Sequence, residues 1–413
     1  MSRVNQAWTC ASPVNQRPSR EAVAPLLETI VELRHLLRNL PTPIRLCLFA
    51  DGTSMRLAAL SAAVEATRRF LLAACASFGV LDLDFLDDSS DCLSSFELLI
   101  SRRLSKCFHD SSEGIAGDIT HGGIDTLIRD FDPDANDRHV IAHEVPVDAG
   151  LRLSAFASSQ RDRPAVILLL PCGLPFDLCR KWFGFLSQRF FVVTWETRGL
   201  FGHCPDFDRA QIDPDTQADD MVAVLDSCGI ERAHLMGICG GAVIALCAAA
   251  RFPLRVRSLG LWYGDYNLSD PALRTRHQQN FEWLMEAAAE GREAASDLHE
   301  SFADQATLPA IPERIAHLAL VPYSNPESMY RYARVNDALC KKVVLPLLPQ
   351  VLAPSLVVTG DCDETTHKDG SAFVAGRIAG SRLHVEVGGD HQTLFNLPQG
   401  LQDLATCFIE AHS

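Results

Sequence analysis

The stretch HLMGICGGAVIALCAAA, residues 234–250, decides how the rest of the chain is read. It sets one cysteine among glycines, and Gly237-Ile238-Cys239-Gly240-Gly241 fits the pattern G-x-nucleophile-x-G. In that pattern a strand turns sharply into a helix, glycines admit the strained backbone, and the central side chain is left accessible. The flanks fit the same order. Residues 232–236 are short and largely apolar, as a buried parallel strand would be, and residues 242–250 are rich in helix formers. The positive end of the helix dipole would favour a thiolate at Cys239, so the proposed nucleophile has a physical reason to be reactive. A blander reading, a small buried cysteine at a tight glycine turn, fits the pentapeptide alone but is weakened by the strand, turn and helix around it.

Composition limits what such a site can serve. The 413 residues are enough for one large domain and a smaller one, each with its own core. Hydrophobic residues make up 47% and charged residues 22%, as in an ordinary globular protein. A net charge of −15 argues against nucleic acid or an anionic membrane as partner and suits a small molecule or a protein. The fourteen cysteines form no CxxC pair and no zinc-spaced Cys/His cluster, and the first residues show no basic n-region followed by an apolar h-region. They read as reduced thiols of a cytoplasmic protein with no metal and no cofactor. The uncharged run at residues 235–250 has 16 residues, short of the roughly 20 that a membrane-spanning helix needs.

Along the chain, residues 1–20 carry Asn, Gln, Ser and Pro without apolar periodicity and read as a disordered arm. Residues 21–137 then read as a small all-helical domain. Val23, Leu26, Leu27, Ile30, Leu33 and Leu37 mark an amphipathic helix that stops before Pro41 and Pro43. Further helical segments cover 56–78 and 93–108, with an acidic loop over 81–91 between them. Past residue 138 the pattern changes to short strands. VIAHEVPV (140–147) and LRLSAFAS (151–158) alternate as a hairpin should, joined through Asp148-Ala149-Gly150. From there to residue 413 strands alternate with helices, the pattern of a mostly parallel sheet. Between them, residues 267–352 form an insertion with helical periodicity, read as a lid.

Two resemblances follow from these residues. DCLSSFELLISRRLSKCF (91–108) resembles the start of the second helix of acyl and peptidyl carrier proteins, and GIDTLIRDF (123–131) resembles their last helix. Cys92 stands where a carrier has its phosphopantetheine serine, and Ser89 and Ser90 are out of register, so no swinging arm is expected. An unrelated helical bundle remains the alternative for this region.

The second resemblance covers residues 139–413 and is to the α/β-hydrolase superfamily. AVILLLPCG (165–173) is similar to that family's strand and oxyanion loop, VVTWETRG (192–199) to the turn that follows its next strand, and GICGG to its nucleophile elbow. SLVVTGDCDETTH (355–367) is similar to its acid-bearing strand end, and VGGDHQTLFNLP (387–398) to its histidine loop. The order nucleophile, acid, histidine is the one the family uses. Two positions depart from it: Cys239 replaces the usual serine, and Pro171-Cys172 replaces the usual histidine before Gly173.

The resemblance implies a fold and a set of roles. The fold is α/β, an α/β-hydrolase fold with a mostly parallel sheet and a helical lid, preceded by the small helical domain. His391 would be the general base. Asp363 would orient it, with Asp361 a turn residue. Asp265 competes with Asp363, because it follows the strand after the elbow helix, where thioesterases that release polyketides and peptides often carry their acid. Backbone N–H groups of Gly240 and Leu174 would stabilise the oxyanion. A cysteine nucleophile keeps a captured acyl group as an activated thioester, which resembles thioesterases and Dieckmann-type cyclases of polyketide and nonribosomal peptide pathways. The expected function is capture of an acyl chain, carried as a thioester on a carrier protein, followed by its release, cyclisation or transfer. An ester or lactone hydrolase with a cysteine nucleophile is the second reading, and a non-catalytic ligand-binding protein of the same fold is the third.

Overall fold

The computed structural model describes residues 23–48, 57–77, 79–80, 82–86, 91–131, 139–148, 150–310 and 312–413. The arm expected over 1–20, and Ser89 and Ser90, lie outside the described residues. The chain divides into two compact units, residues 1–34, 42–93 and 97–133 in the first and 35–41, 94–96 and 134–413 in the second. The boundary expected at 137–138 lies outside the described residues.

The first unit is helical, as its periodicity predicts, with α1 (Ala24–Asn39), α2 (Leu57–Ser77), α3 (Ser95–Gly122) and α4 (Ile124–Arg129). It is not all-helical. β1 (Ile44–Leu46) and β2 (Leu83–Phe85) pair in parallel across α2, a crossover that a bundle of helices alone lacks. Three-residue strands are too short to show a period, and β2 lies inside the stretch expected to be an acidic loop. Cys92 is exposed in the turn that precedes α3.

In the second unit, β3 (Val140–Pro146) and β4 (Arg152–Ser158) form the expected antiparallel hairpin. Then β5 (Ala165–Leu169), α5 (Arg180–Ser187), β6 (Phe191–Trp195), α6 (Pro214–Ser227), β7 (Ala233–Ile238), α7 (Gly241–Arg251) and β8 (Val256–Trp262) alternate. Four helices intervene, α8 (Arg276–Ala289), α9 (Arg292–Ala303), α10 (Glu313–Ala319) and α11 (Pro326–Cys340). The unit closes with β9 (Ser355–Gly360), α12 (Lys368–Arg377), β10 (Arg382–Glu386), α13 (His391–Asn396) and α14 (Gln399–Glu410).

The eight strands lie in the order β10-β9-β8-β7-β5-β6-β4-β3, parallel from β10 to β6, with β4 antiparallel to both β6 and β3. Every residue of β5, β6, β7 and β9 is buried, which explains why these strands read as continuous apolar runs rather than alternating ones. Separate hydrophobic cores cover the two faces. One includes Ile167, Leu235, Val243 and Met221, and the other Leu168, Met236, Trp182 and Phe408. Chain reversals from β5, β7, β8 and β9 therefore collect at the carboxyl ends of the central strands, where ligands of open α/β sheets bind. Among the described residues no helix is long and apolar enough to cross a membrane.

Candidate active site

Cys239 sits between β7 and α7 with φ +52°, a left-handed backbone conformation that a non-glycine residue holds only when its surroundings enforce it. The enforcement is visible. The Cys239 N–H donates to the Trp262 carbonyl (3.0 Å), and its carbonyl accepts from Ala242 N–H (3.0 Å) and, more weakly, from Asp265 N–H (3.4 Å). The flanking glycines have no room to be anything else: a Cβ on Gly237 would lie 2.6 Å from the Gly241 carbonyl oxygen, and one on Gly241 would lie 2.5 Å from that of Leu170. Strand and helix thus approach at van der Waals contact, and the cysteine projects from the turn, partly exposed.

His391 is the first residue of α13. Asp390 and Thr393 cap that helix reciprocally, and the loop before it is braced by Asp361, whose carboxylate accepts the Gly388 N–H (2.6 Å). The Cys362 N–H donates to the Gly389 carbonyl (3.0 Å) from the same acid-bearing turn. Tyr263, fully buried and itself at φ +50°, stands edge-on to the imidazole with ring centroids 5.8 Å apart.

The imidazole Nδ1 donates to Asp363 Oδ2 at 2.9 Å, and the Asp363 side chain is wholly buried. Asp363 is saturated by further donors: Thr365 N–H (2.7 Å) and Thr366 N–H (3.0 Å) reach Oδ1, and the Thr366 hydroxyl (2.8 Å) reaches Oδ2. Burial alone would raise this carboxyl, but the His391 and Thr366 bonds hold it below its ordinary value. For His391 burial opposes the charged form, yet the hydrogen-bonded Cys239 sulfur and the Asp363 carboxylate outweigh it and push the imidazole up to about 10. Cys239, His391 and Asp363 thus form one electrostatic unit with the imidazole at its centre.

Asp265 is engaged elsewhere, accepting from the Gln278 side-chain amide of α8 at 2.6 Å. The loop after β5 lies against the elbow, since a Cβ on Gly240 would meet the Cys172 Cβ at 3.2 Å and Leu339 of α11 at 2.8 Å. That loop is held by Thr197, whose hydroxyl accepts the Gly173 N–H (2.8 Å), and by Glu196, which accepts the Phe176 N–H (2.9 Å). Gly240 caps α7, but the Leu174 N–H donates to the Pro171 carbonyl at 3.2 Å, so this expected oxyanion donor is turned into its own loop here. Cys172, where the family pattern has histidine, is buried against Gln217 (3.8 Å), and burial pushes its thiol up to about 12, so it stands as a neutral neighbour of Cys239.

The helices between β8 and β9 reach this site. Tyr332 of α11 packs on Gly173, where a Cβ would meet its ring at 2.5 Å, and Tyr332 in turn contacts Tyr323 and Phe281 edge-on. Helices α8 to α11 occupy the stretch 267–352, and the sequence alone does not mark Phe281, Tyr323, Tyr332 or Gln278 as reaching this site. Their spacing marks helix faces, and helix faces alone do not say which loop they meet. Among the described residues no group of three or more His, Cys, Asp or Glu side chains is arranged to hold a metal.

Comparison with known proteins agrees with this architecture. A family model described as alpha/beta hydrolase fold matches residues 166–396. Serine hydrolase BPHL of Mus musculus is 23% identical over 248 residues, covering 59% of this chain and 79% of that one. Polyketide synthase ThaQ of Burkholderia thailandensis is 27% identical over 254 residues, covering 60% of this chain but 12% of the synthase. A crystal structure of a hydrolase from Pseudomonas aeruginosa PA01 superposes with TM-score 0.52 at 19% identity, over 65% of this chain and 97% of that one. With more than half of its length matched by the family model, and with the strand order and elbow described above, the chain belongs to the α/β-hydrolase fold family.

Proposed function

We propose that the protein processes acyl thioesters through a covalent acyl-Cys239 intermediate, with His391 as the acid and base and Asp363, rather than Asp265, as the group that orients it. One observation carries this reading: the residue at the strained elbow is a cysteine, and it is hydrogen-bonded to His391, which Asp363 holds. A thiolate attacks the acyl carbon, the Sγ–C bond forms, and the carbonyl electrons move onto oxygen, where the Gly240 N–H and a Leu174 N–H turned away from Pro171 would receive them. Collapse breaks the incoming C–S bond, and the departing thiolate takes the proton held by His391. The acceptor then loses its proton to His391 as it attacks the acyl-enzyme, and Cys239 leaves as thiolate.

Cysteine suits this sequence better than serine because thioester exchange leaves the acyl group as activated as it arrived. Transfer to carbon, nitrogen or oxygen therefore stays downhill. The partial likeness to a polyketide synthase supports a carrier-bound acyl chain as the substrate, in release, cyclisation or transfer. The likeness to a serine hydrolase favours a second reading, hydrolysis of simple esters. The two part in a direct comparison of kcat/KM for matched acyl thioesters and oxoesters of one chain, with product analysis in the presence of amine or alcohol acceptors. The proposal expects thioesters to win and acceptors to divert product from the free acid. Equal rates with free acid alone would favour the simple hydrolase.

A further inference from the structure

Asp265 and Asp363 stand at the ends of neighbouring strands, β8 and β9, and the first turn of lid helix α8 touches the loops of both. The Gln278 side chain, almost wholly buried, donates through Nε2 to Asp265 Oδ1 (2.6 Å) and accepts the Thr275 N–H on Oε1 (2.9 Å). Thr275 accepts the Gln278 N–H on its hydroxyl (3.1 Å) and donates that hydroxyl to the Thr365 carbonyl (3.0 Å). Thr365 in turn gives its N–H to Asp363 Oδ1 (2.7 Å), and Asp363 holds His391 (2.9 Å). The chain Asp265, Gln278, Thr275, Thr365, Asp363, His391 is continuous, with no link longer than 3.1 Å.

An ordinary capping box needs only the reciprocal pair of Thr275 and Gln278. Here both partners spend their remaining hydrogen-bonding capacity on the active-site loops. A glutamine amide offers an acceptor and donors on one rigid plane, so anchoring its oxygen to Thr275 N–H aims its nitrogen at Asp265.

We infer that Gln278 is a positioning residue: through it the lid latches onto Asp265, and this latch, relayed by Thr275 and Thr365, holds the Asp363 loop where the carboxylate meets His391. Asp265 is then the lid's strike plate and not a member of the catalytic set. The inference rests on the reading that Asp363 orients His391. It adds that α8 has to be seated for that contact to form, so that the site is assembled only under a closed lid.

The test measures kcat, KM and the pH profile of acyl transfer for Gln278→Leu, Thr275→Val, Thr275→Ser, Asp265→Asn, Asp265→Leu and Asp363→Asn, each checked for folding by circular dichroism and thermal melting. Gln278→Leu, Thr275→Val and Asp265→Leu should each lose about tenfold in kcat, the size of one lost hydrogen bond, with KM changed about twofold or less. The alkaline limb of their profiles should move to lower pH, because a displaced Asp363 supports the imidazolium less. Thr275→Ser, which keeps the hydroxyl, and Asp265→Asn, whose amide oxygen still accepts from Gln278, should stay near the parent. Folded Gln278→Leu and Asp265→Leu with parental kcat and parental pH profile would overturn the latch. So would a loss in Asp265→Asn as deep as in Asp265→Leu, since that would mean the charge, not the bond, is what matters. Should a variant at 278 or 275 melt, the two Asp265 variants decide the question alone. If Asp363→Asn itself kept full turnover, the orienting role of Asp363 would fail first, and that outcome is distinct from failure of the latch.

Discussion

Replacing Asp363 by asparagine probes the heart of the site while changing its volume little. The carboxylate receives donors on both oxygens: Thr365 and Thr366 N–H on Oδ1, and the Thr366 hydroxyl and His391 Nδ1 on Oδ2. An amide has one acceptor oxygen. Two backbone donors outweigh the other side, so its oxygen would settle at Oδ1 and its NH2 would face His391. Nδ1 must then give up its proton to become an acceptor, and Nε2 is left protonated in the neutral ring, the wrong tautomer for a base toward Cys239. The charge is lost as well. His391 is lifted from 6.5 to about 10 against burial, by Cys239 first and Asp363 second. At about 1.4 kcal/mol for each tenfold in proton affinity, that lift corresponds to about 5 kcal/mol. Losing one hydrogen bond to a charged group costs about 1.5–3 kcal/mol, or roughly 10- to 150-fold, before the tautomer penalty. In the serine-protease template the same change costs about 10⁴-fold, and a cysteine nucleophile depends less on general-base help, so we expect a fall of roughly 10²-fold or more in the acylation rate. Quenched-flow acylation with an acyl thioester, read by intact-protein mass, measures that rate directly. Asp265→Asn, whose amide oxygen still accepts from Gln278, should stay near the parent, well short of about a tenfold loss by the same comparison. A larger loss at Asp265, with both variants folded, would refute the assignment.

Two further outcomes follow from the same site. Because the folded imidazole keeps its proton up to about 10 and the unfolded one loses it near 6.5, stability owed to His391 is fully present below 6.5 and is lost as pH rises through about 10. The difference in melting temperature between the parent and His391→Gln should therefore shrink steadily across that window, and a difference that grows with pH would contradict the ion-pair description. Gly241→Ala would drive a methyl into the Leu169 and Leu170 carbonyls, so it should cost roughly 1–3 kcal/mol of stability, as overpacking does, and displace Cys239, whereas Gly291→Ala, with open space around it, should change little. Urea unfolding with iodoacetamide labelling of the Cys239 peptide reads both effects.

The parts of the site that a local pattern encodes could be read from the chain. The glycines around Cys239 announce a turn because no other residue fits between β7 and α7, and Gly388-Gly389 before His391 announces a loop because Gly388 holds φ +70° and a Cβ on Gly389 would crowd Glu386 and Tyr263. The choice between Asp363 and Asp265 could not be read that way. Both follow buried strands that lie side by side in the sheet, and only the fold shows that His391 comes down from the β10 side onto Asp363 while Asp265 faces the lid. Gln278 and Tyr332 were invisible for a related reason. Their partners lie far off in sequence, at Asp265 and Thr275 for one and at Gly173 for the other, and a polar or aromatic residue on an amphipathic helix carries no mark of what it will touch. The β1–β2 pair escaped because three residues are fewer than two periods of a strand.

The central claim is that Cys239 carries the acyl group. Intact-protein and peptide mass spectrometry after brief incubation with a panel of acyl N-acetylcysteamine thioesters tests it most directly. The account predicts one acyl adduct, mapped to the Cys239 peptide, that is discharged by an added acceptor and is absent in Cys239→Ala, which should also show no turnover. Cys239→Ser should retain the fold and show either no adduct or a slower, oxoester-linked one that drains to free acid. Near-parental turnover in folded Cys239→Ala, or an adduct mapped to another residue in the parent, would contradict the account.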